Sequence, residues 1–209
     1  MQSWGLTDVG CTRAQNQDAF LMEQLDKHTL LCVVCDGMGG AKSGNVASTL
    51  AAEVFVEEVR QTWIPNMKAD DAEQMLRSAV KLANFTVYDQ AQQLEGFSGM
   101  GTTLVALLIQ GKEAIIVNIG DSRAYRVGKN GIRRLTTDHS LVQMMAERGD
   151  LTPEQARNYP GKKIAHDMAQ VPHGHTKEEK KGIGIGIAAS VLFHVMLLFV
   201  FVNAGLKYI

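Results

Sequence analysis

The pattern of apolar and polar positions predicts alternating strands and helices over residues 19–148. Short apolar runs at 19–24 and 30–35 flank the polar segment 25–29, which is typical of a β-hairpin. Apolar residues at helical spacing predict one helix over 44–63 and a second from Asp70 onward. Other apolar runs predict strands at 102–109, 114–119, 124–127 and 132–135, and a helix near 141–148. Hairpins with inserted helices indicate an α+β fold in which helices cover the sheets.

The most apolar stretch of the chain is residues 183–204, which contain no acidic or basic side chain apart from His194. A helix of this length would span about 33 Å, and the hydrocarbon core of a bilayer is about 30 Å thick. The stretch has no polar stripe, which disfavours a helix lying on a membrane surface. It therefore predicts a single C-terminal transmembrane helix, with a buried core helix as the alternative.

The charges around this stretch predict its orientation. Lys177, Lys180 and Lys181 precede it and only Lys207 follows it, which favours a cytoplasmic N-terminal side. The first ten residues have no basic segment followed by an apolar run, so no signal peptide is expected. Polar residues without a helix or strand period predict a linker at 161–182. The expected organisation is a domain at 1–160, the linker, and a transmembrane helix at 183–204.

The composition excludes several classes of protein. The chain has 21 Lys+Arg against 22 Asp+Glu, a formal charge of −1, which removes the electrostatic basis for a nucleic-acid partner. A hydrophobic fraction of 45% is that of a globular protein and not of a disordered one. Three cysteines in 209 residues are too few for a disulfide scaffold. Cys32 and Cys35 lie three apart on a predicted strand and so face opposite sides, which predicts buried thiols.

Two aspartates are expected to meet at the open end of the first hairpin. If the hairpin centres on Lys27, Asp18 and Asp36 lie nine residues to either side and face each other. Opposed like charges destabilise a sheet, and a hard divalent cation such as Mg²⁺ or Mn²⁺ would relieve the repulsion. Glycines after Asp36 would let backbone carbonyls approach a ligand, although a plain glycine turn is the alternative.

Two further residues are weaker candidates on their own. Asp121 follows the predicted strand 114–119 and could be a metal ligand or an ordinary turn residue. Arg13 could bind a phosphate through its planar guanidinium, or could be a surface charge.

Six short segments occur in a characteristic order along the chain. They are TDVG at 7–10, RAQNQD at 13–18, VCDGMGG at 34–40, GMGTT at 99–103, NIGDSRAY at 118–125 and LTTDHS at 135–140. Together they resemble the bacterial metal-dependent type 2C, or PPM-type, protein serine/threonine phosphatases, over about residues 2–160.

The resemblance implies a β-sandwich flanked by helices, with a two-metal Mn²⁺ or Mg²⁺ site at one end. It implies that Asp36 bridges both metals and that the Gly37 carbonyl is a ligand. Asp18 would orient a water, Arg13 would bind the substrate phosphate, and Asp121 would help to hold a further metal. The reaction implied is the hydrolysis of phosphoserine and phosphothreonine, so the expected partners are a phosphorylated protein and the signalling pathway of its kinase.

The chain departs from this family beyond residue 160. Family members continue into further strands whose two aspartates, one before a glycine and one before an asparagine, complete the second metal position. Here Asp167 precedes Met168, and no acidic residue follows Glu179. We therefore expect a C-terminally truncated sandwich with uncovered edges and an incomplete second metal position.

Three hypotheses follow from this departure. In the first hypothesis, the chain is an active phosphatase anchored in the inner membrane with its domain in the cytoplasm. Alternatively, it is a catalytically impaired, membrane-anchored protein with a regulatory or binding role. In the third hypothesis it is a truncated or fused reading frame.

Overall fold

The computed structural model describes residues 2–11, 13–129, 131–152, 154–155, 183–191, 194–202 and 205–208. Three helices lie within these residues: α1 (Gly40–Thr62), α2 (Ala69–Gln93) and α3 (Leu141–Glu147). The strands in the same residues are β1 (Gln2–Thr7), β2 (Asp18–Asp26), β3 (Thr29–Met38), β4 (Gly101–Thr102), β5 (Leu104–Gln110), β6 (Glu113–Ile119), β7 (Arg123–Gly128), β8 (Gly131–Arg134), β9 (Ile183–Val191), β10 (His194–Val202) and β11 (Gly205–Tyr208).

The strands form two sheets. One has the order β1-β10-β9-β7-β8, and the other has the order β11-β6-β5-β3-β2, with β4 paired to the end of β3. An apolar cluster joins them: it combines residues of β3, β5 and β6 with Ala124 of β7. The α+β sandwich expected from the sequence is therefore confirmed for the described residues.

Strand β3 lies at the centre of the core and is buried on both faces. Leu31, Val33 and Cys35 belong to the cluster under the helices. Cys32 and Val34, on the other face, belong to the cluster between the sheets. The two cysteines therefore face opposite sides, as predicted, and burial raises the pKa of the Cys32 thiol to about 12 and that of Cys35 further still.

Helices α1 and α2 cover the outer face of the second sheet. They arise from the apolar spacing seen in the sequence, and the buried side of α2 carries Ala72, Met75, Leu76, Ala79, Val80, Ala83 and Val87. Helix α1 begins earlier than predicted, directly after Gly39. This early start places the end of β3 against the N-terminal turn of α1.

The prediction of a helix over residues 183–204 is wrong in this structure. Residues Ile183–Val191 and His194–Val202 form β9 and β10, which fill the sheet between β1 and β7. No helix among the described parts of the chain is both long and apolar enough to cross a membrane.

The local sequence explains this difference. Alternating Ile and Gly at 183–187 disfavour a helix, because glycine carries a large backbone entropy cost and isoleucine loses rotamers. Isoleucine, valine and phenylalanine favour strands, and an apolar run without a period does not separate a buried strand from a helix. β9–β11 also cover edges that we expected to be open. The predicted linker, 161–182, lies outside the described residues.

Candidate active site

The first hairpin brings Asp18 and Asp36 together in the expected register. β2 and β3 pair antiparallel with Asp18 opposite Asp36, and this register continues to the pair Gln24–Leu30. A bulge shifts the register between Gln24 and Asp26, next to the turn. From Gln24 back to Asp18 the pairing has the register that a hairpin centred on Lys27 predicts. The two carboxylates therefore occupy neighbouring positions on adjacent strands.

Both carboxylates are partly buried and interact with each other. Burial raises the pKa of Asp36 to about 7, and the negative charges of Asp18 and Asp121 add to the increase. Burial also raises the pKa of Asp18, while its hydrogen bond with Asp36 and the charge of Arg13 act in the opposite direction. Asp18 Oδ2 is buried and accepts no hydrogen bond from the described residues. Such an orphaned carboxylate oxygen is what a cation or an ordered water would satisfy.

Asn16 holds the start of β2 in place. Its Oδ1 accepts the backbone N–H of Asp18 at 3.0 Å, and its Nδ2 donates to Thr7 Oγ1 at 2.7 Å. The side chain therefore ties the first carboxylate to the end of β1. In the sequence Asn16 stands out only as part of the segment 13–18, because its partner Thr7 lies on β1, a strand that the apolar pattern does not predict.

The end of β3 passes so close to α1 that only glycine fits. The Gly37 N–H donates to the Gln17 carbonyl at 3.0 Å, and a Cβ on Gly37 would lie 1.9 Å from the Gly44 carbonyl oxygen. Gly39 then turns the chain into α1 with a φ of 137°. The glycines after Asp36 thus form a tight strand-to-helix junction, and Gly37 lies next to the paired carboxylates.

Asp121 and Arg13 both act on Asp36 through their charges. The charge of Asp121 raises the pKa of Asp36, and the charge of Arg13 lowers it. Asp121 follows β6 in a turn whose Gly120 carbonyl accepts the N–H of His139 at 2.8 Å. The structure therefore places Asp18, Asp36 and Gly37 side by side, and Asp121 and Arg13 close enough to Asp36 for their charges to act on it.

The donor set fits a hard divalent cation with few side-chain ligands. The described residues contain no group of three or more His, Cys, Asp or Glu side chains that could hold a metal ion. A cation here would therefore take Asp18, Asp36, backbone carbonyl oxygen and water, and Mg²⁺ or Mn²⁺ accepts such ligands. The unpartnered Asp18 Oδ2 and the opposed charges suit such a cation, although the described residues supply no third carboxylate ligand.

The protein phosphatase 2C family model matches residues 12–159. The chain belongs to the protein phosphatase 2C family. This phosphatase 2C domain is 36% identical to the serine/threonine phosphatase stp of Listeria welshimeri over 159 residues, which is 76% of this chain and 62% of that protein. The chain thus spans less than two thirds of the length of this curated relative. All five predicted site residues lie inside the matched region, and β9–β11 lie beyond it.

Solved phosphatases share the fold of this phosphatase 2C chain. The S. agalactiae serine/threonine phosphatase superposes with a TM-score of 0.80 at 24% identity, over 96% of this chain and 99% of that one. The catalytic domain of PstP in complex with two manganese ions gives a TM-score of 0.73 at 22% identity, over 95% and 96% of the two chains. At identities below 25% the likeness shows the fold alone.

Proposed function

We propose that this chain is a metal-dependent protein serine/threonine phosphatase, which hydrolyses phosphoserine and phosphothreonine in proteins. The observation that carries the proposal is the cross-strand pair of partly buried aspartates, Asp18 and Asp36, in a chain of the phosphatase 2C family. Two buried like charges on adjacent strands destabilise the folded state unless a ligand of opposite charge binds between them. The names of the curated relatives support the same activity.

The residues proposed to hold Mn²⁺ or Mg²⁺ are Asp36, Asp18 and the Gly37 carbonyl, with Asp121 helping at a further position. When bound, the cation supplies a water of lowered pKa and offsets the charge that develops on the phosphoryl group. The manganese-bound structure of PstP supports a preference for this class of metal. Both aspartates must be ionised to bind, and Arg13 favours that state through its positive charge.

The remaining roles follow from charge and from hydrogen-bonding capacity. Arg13 can bind two phosphate oxygens through its planar guanidinium, which orients the phosphoryl group for in-line attack. Asp18 Oδ2 accepts no hydrogen bond from the described residues, so it can accept one from the attacking water. This contact would direct the water toward phosphorus. No covalent phosphoenzyme is required, because water itself is the nucleophile.

A second candidate function is that of a catalytically impaired, phosphatase-like regulatory or binding protein. Two observations favour it. No third acidic, histidine or cysteine ligand joins the aspartate pair within the described residues. No acidic residue follows Glu179, so β9–β11 add no carboxylate to the site. In this candidate the chain binds one cation and a phosphorylated protein without turning it over, because the second metal position is incomplete.

The expected partners are a phosphorylated protein and the pathway of the kinase that made it. Location at the inner membrane, with the phosphatase domain in the cytoplasm, stays a prediction from the apolar stretch 183–204 and the three lysines before it. The strands β9 and β10 remove the transmembrane helix on which that prediction depended. Fractionation of cells that express the full chain tests it, and recovery in the soluble fraction would contradict it. The third hypothesis, a truncated or fused reading frame, is tested by re-reading the nucleotide sequence near Lys163.

The experiment that tests the activity uses the full chain with a phosphothreonine peptide, with and without Mn²⁺. We expect manganese-dependent release of phosphate and a loss of about a hundredfold or more in Asp36→Asn. Asp89→Asn on α2 is the matched control, because it makes the same chemical change on the helix surface. No turnover by the wild-type chain would contradict the phosphatase activity, and Mn²⁺ binding without turnover would support the impaired candidate.

A further inference from the structure

Thr103 occupies a break in the sheet directly beside Asp36. β3 pairs with β4 through Gly37–Thr102 and with β5 through Val34–Val105. Thr103 lies between β4 and β5 and belongs to neither strand. At this point one backbone hydrogen bond of the ladder is kept, and the other is replaced by a contact of the Thr103 side chain.

The hydroxyl of Thr103 takes the place of a backbone acceptor. The Asp36 N–H donates to Thr103 Oγ1 at 3.0 Å, and the Thr103 N–H donates to the Asp36 carbonyl at 2.9 Å. The Thr103 carbonyl accepts the Thr102 hydroxyl at 2.9 Å. Asp36 is therefore held on one side by Thr103 and on the other by its pairing with β2.

The same hydroxyl also contacts the turn that carries Asp121. Thr103 Oγ1 lies 2.6 Å from Ser122 Oγ, and Ser122 is buried. The methyl group packs against the same turn: a Cβ on Gly120 would lie 2.7 Å from Thr103 Cγ2. Gly120 also has a φ of 97°, a conformation that disfavours any side chain. One threonine thus contacts the residue before Asp121, the residue after it, and the backbone of Asp36.

We infer that Thr103 is a positioning residue that fixes the Asp36 and Asp121 segments relative to each other and so sets the affinity of the site for a divalent cation. The inference rests on the proposed metal site and goes beyond it, because Thr103 itself is not a ligand. Residues that orient metal ligands typically change metal affinity by about 10–100-fold when they are replaced.

The test is isothermal titration calorimetry of the full chain with Mn²⁺, which measures binding without requiring turnover. Thr103→Val keeps the shape but leaves the Asp36 N–H and the Ser122 hydroxyl without their partner, and we expect binding about tenfold weaker. Thr103→Ser keeps the hydroxyl and should restore most of the affinity. The matched control is Thr136→Val, which removes another buried hydroxyl that accepts a strand N–H, from Ala124 at 3.1 Å.

Ser122→Ala provides a second variant if Thr103→Val does not fold. It removes the Ser122 hydroxyl, and with it the contact to the Thr103 hydroxyl. We expect Mn²⁺ binding to be weaker than in the wild type. Adding it to Thr103→Val should cause little further loss, because both changes break one interaction.

The possible results separate this inference from the proposed activity. Weaker binding in Thr103→Val but not in Thr136→Val supports the positioning role, even if the wild-type chain hydrolyses no phosphopeptide. Equal affinities in the wild type, Thr103→Val and Ser122→Ala would overturn it, even if the wild type is an active phosphatase. An equal loss in Thr103→Val and Thr136→Val would also overturn it, since general destabilisation would explain both.

Discussion

At the scale of single residues, the site is a pair of like charges that the backbone holds together. Asn16 binds the N–H of Asp18, and Thr103 binds the N–H of Asp36, so neither strand end can separate freely. Opposed aspartates destabilise a sheet unless one of them is protonated or a cation lies between them. The raised pKa of Asp36 is the expected response in the absence of a cation.

This raised pKa predicts that the metal-free chain loses stability as the pH rises. The pKa of Asp36 is about 7 in the folded chain against an ordinary 3.8, so the folded state holds an extra proton between these values. The stability that this proton contributes to the folded chain is fully present below pH 3.8 and is lost as the pH rises through about 7. We expect the free energy of unfolding to fall by on the order of 2–4 kcal/mol over this range.

Urea denaturation of the metal-free chain at several pH values measures this dependence. Asp36→Asn should flatten it, because the amide does not titrate. Saturating Mn²⁺ should stabilise the folded chain more at higher pH, because binding requires ionised carboxylates. A free energy of unfolding that rises between pH 4 and 7 in the metal-free wild type, and not in Asp36→Asn, would contradict the account.

The cross-strand pair could be predicted from the sequence, whereas its supports could not. The count of residues around Lys27 is local information, and it gives the Asp18–Asp36 register. The hydrogen bond from Asp36 to Thr103 joins residues 67 positions apart, so it depends on the packing of the whole sheet. The family segments contain Thr103, but nothing in the local sequence indicates which backbone its hydroxyl binds.

At the scale of elements, the junction between β3 and α1 is a close contact between two backbones beside Asp36. The backbone at Gly37 lies against the backbone at Gly44, and β3 is buried on both faces just before it. Because the obstructing atom is a carbonyl oxygen of a helix, a side-chain rotation cannot relieve the contact. A side chain at Gly37 would therefore have to displace the backbone next to Asp36.

Gly37→Ala is accordingly predicted to damage both stability and metal binding. The new Cβ would lie 1.9 Å from the Gly44 oxygen, so β3 or α1 must shift. We expect a loss of about 2–4 kcal/mol in the free energy of unfolding and weaker Mn²⁺ binding. Gly128→Ala is the control, because its Cβ would meet nothing within 4 Å. Equal stability of the two variants by thermal denaturation would refute the close approach.

The strands β1, β9 and β10 were not predicted, because the pattern of apolar residues in them is not that of a half-buried strand. In β1, Trp4 and Leu6 are exposed, at 54% and 63%, so the usual pattern of a half-buried strand points away from the core. The strand exists through its pairing with β10. In β9 and β10 no polar residues alternate with the apolar ones, so the length of the apolar run favoured a membrane helix over two strands.

At the scale of the whole molecule, the C-terminal strands close a sandwich that the sequence predicted to be open. β9 pairs with β7, β10 pairs with β1, and β11 pairs with β6, so the tail contributes to both sheets. None of the three brings an acidic residue. The tail therefore completes the sheets and adds no acidic side chain to the proposed metal site.

Disulfide trapping tests this closure. Ser3 lies opposite Val200 in the β1–β10 pairing, so cysteines at both positions should form a disulfide on mild oxidation in a Cys11→Ser background. Cysteines at Ser3 and Phe199 are the control, because a shift of one residue places the side chains on opposite faces. A shift in mobility on a non-reducing gel for the first pair alone is expected. No cross-link in either pair would be the result for a membrane helix over 183–204.

The most direct measurement of the central claim is Mn²⁺ binding to the full chain and to Asp18→Asn and Asp36→Asn by isothermal titration calorimetry. If the two carboxylates share a cation, the wild type binds Mn²⁺ and each single variant binds at least about tenfold more weakly. The double variant should lose little more than either single one, because both aspartates serve one site. Equal Mn²⁺ affinities in all four proteins, or no binding by the wild type, would contradict the account.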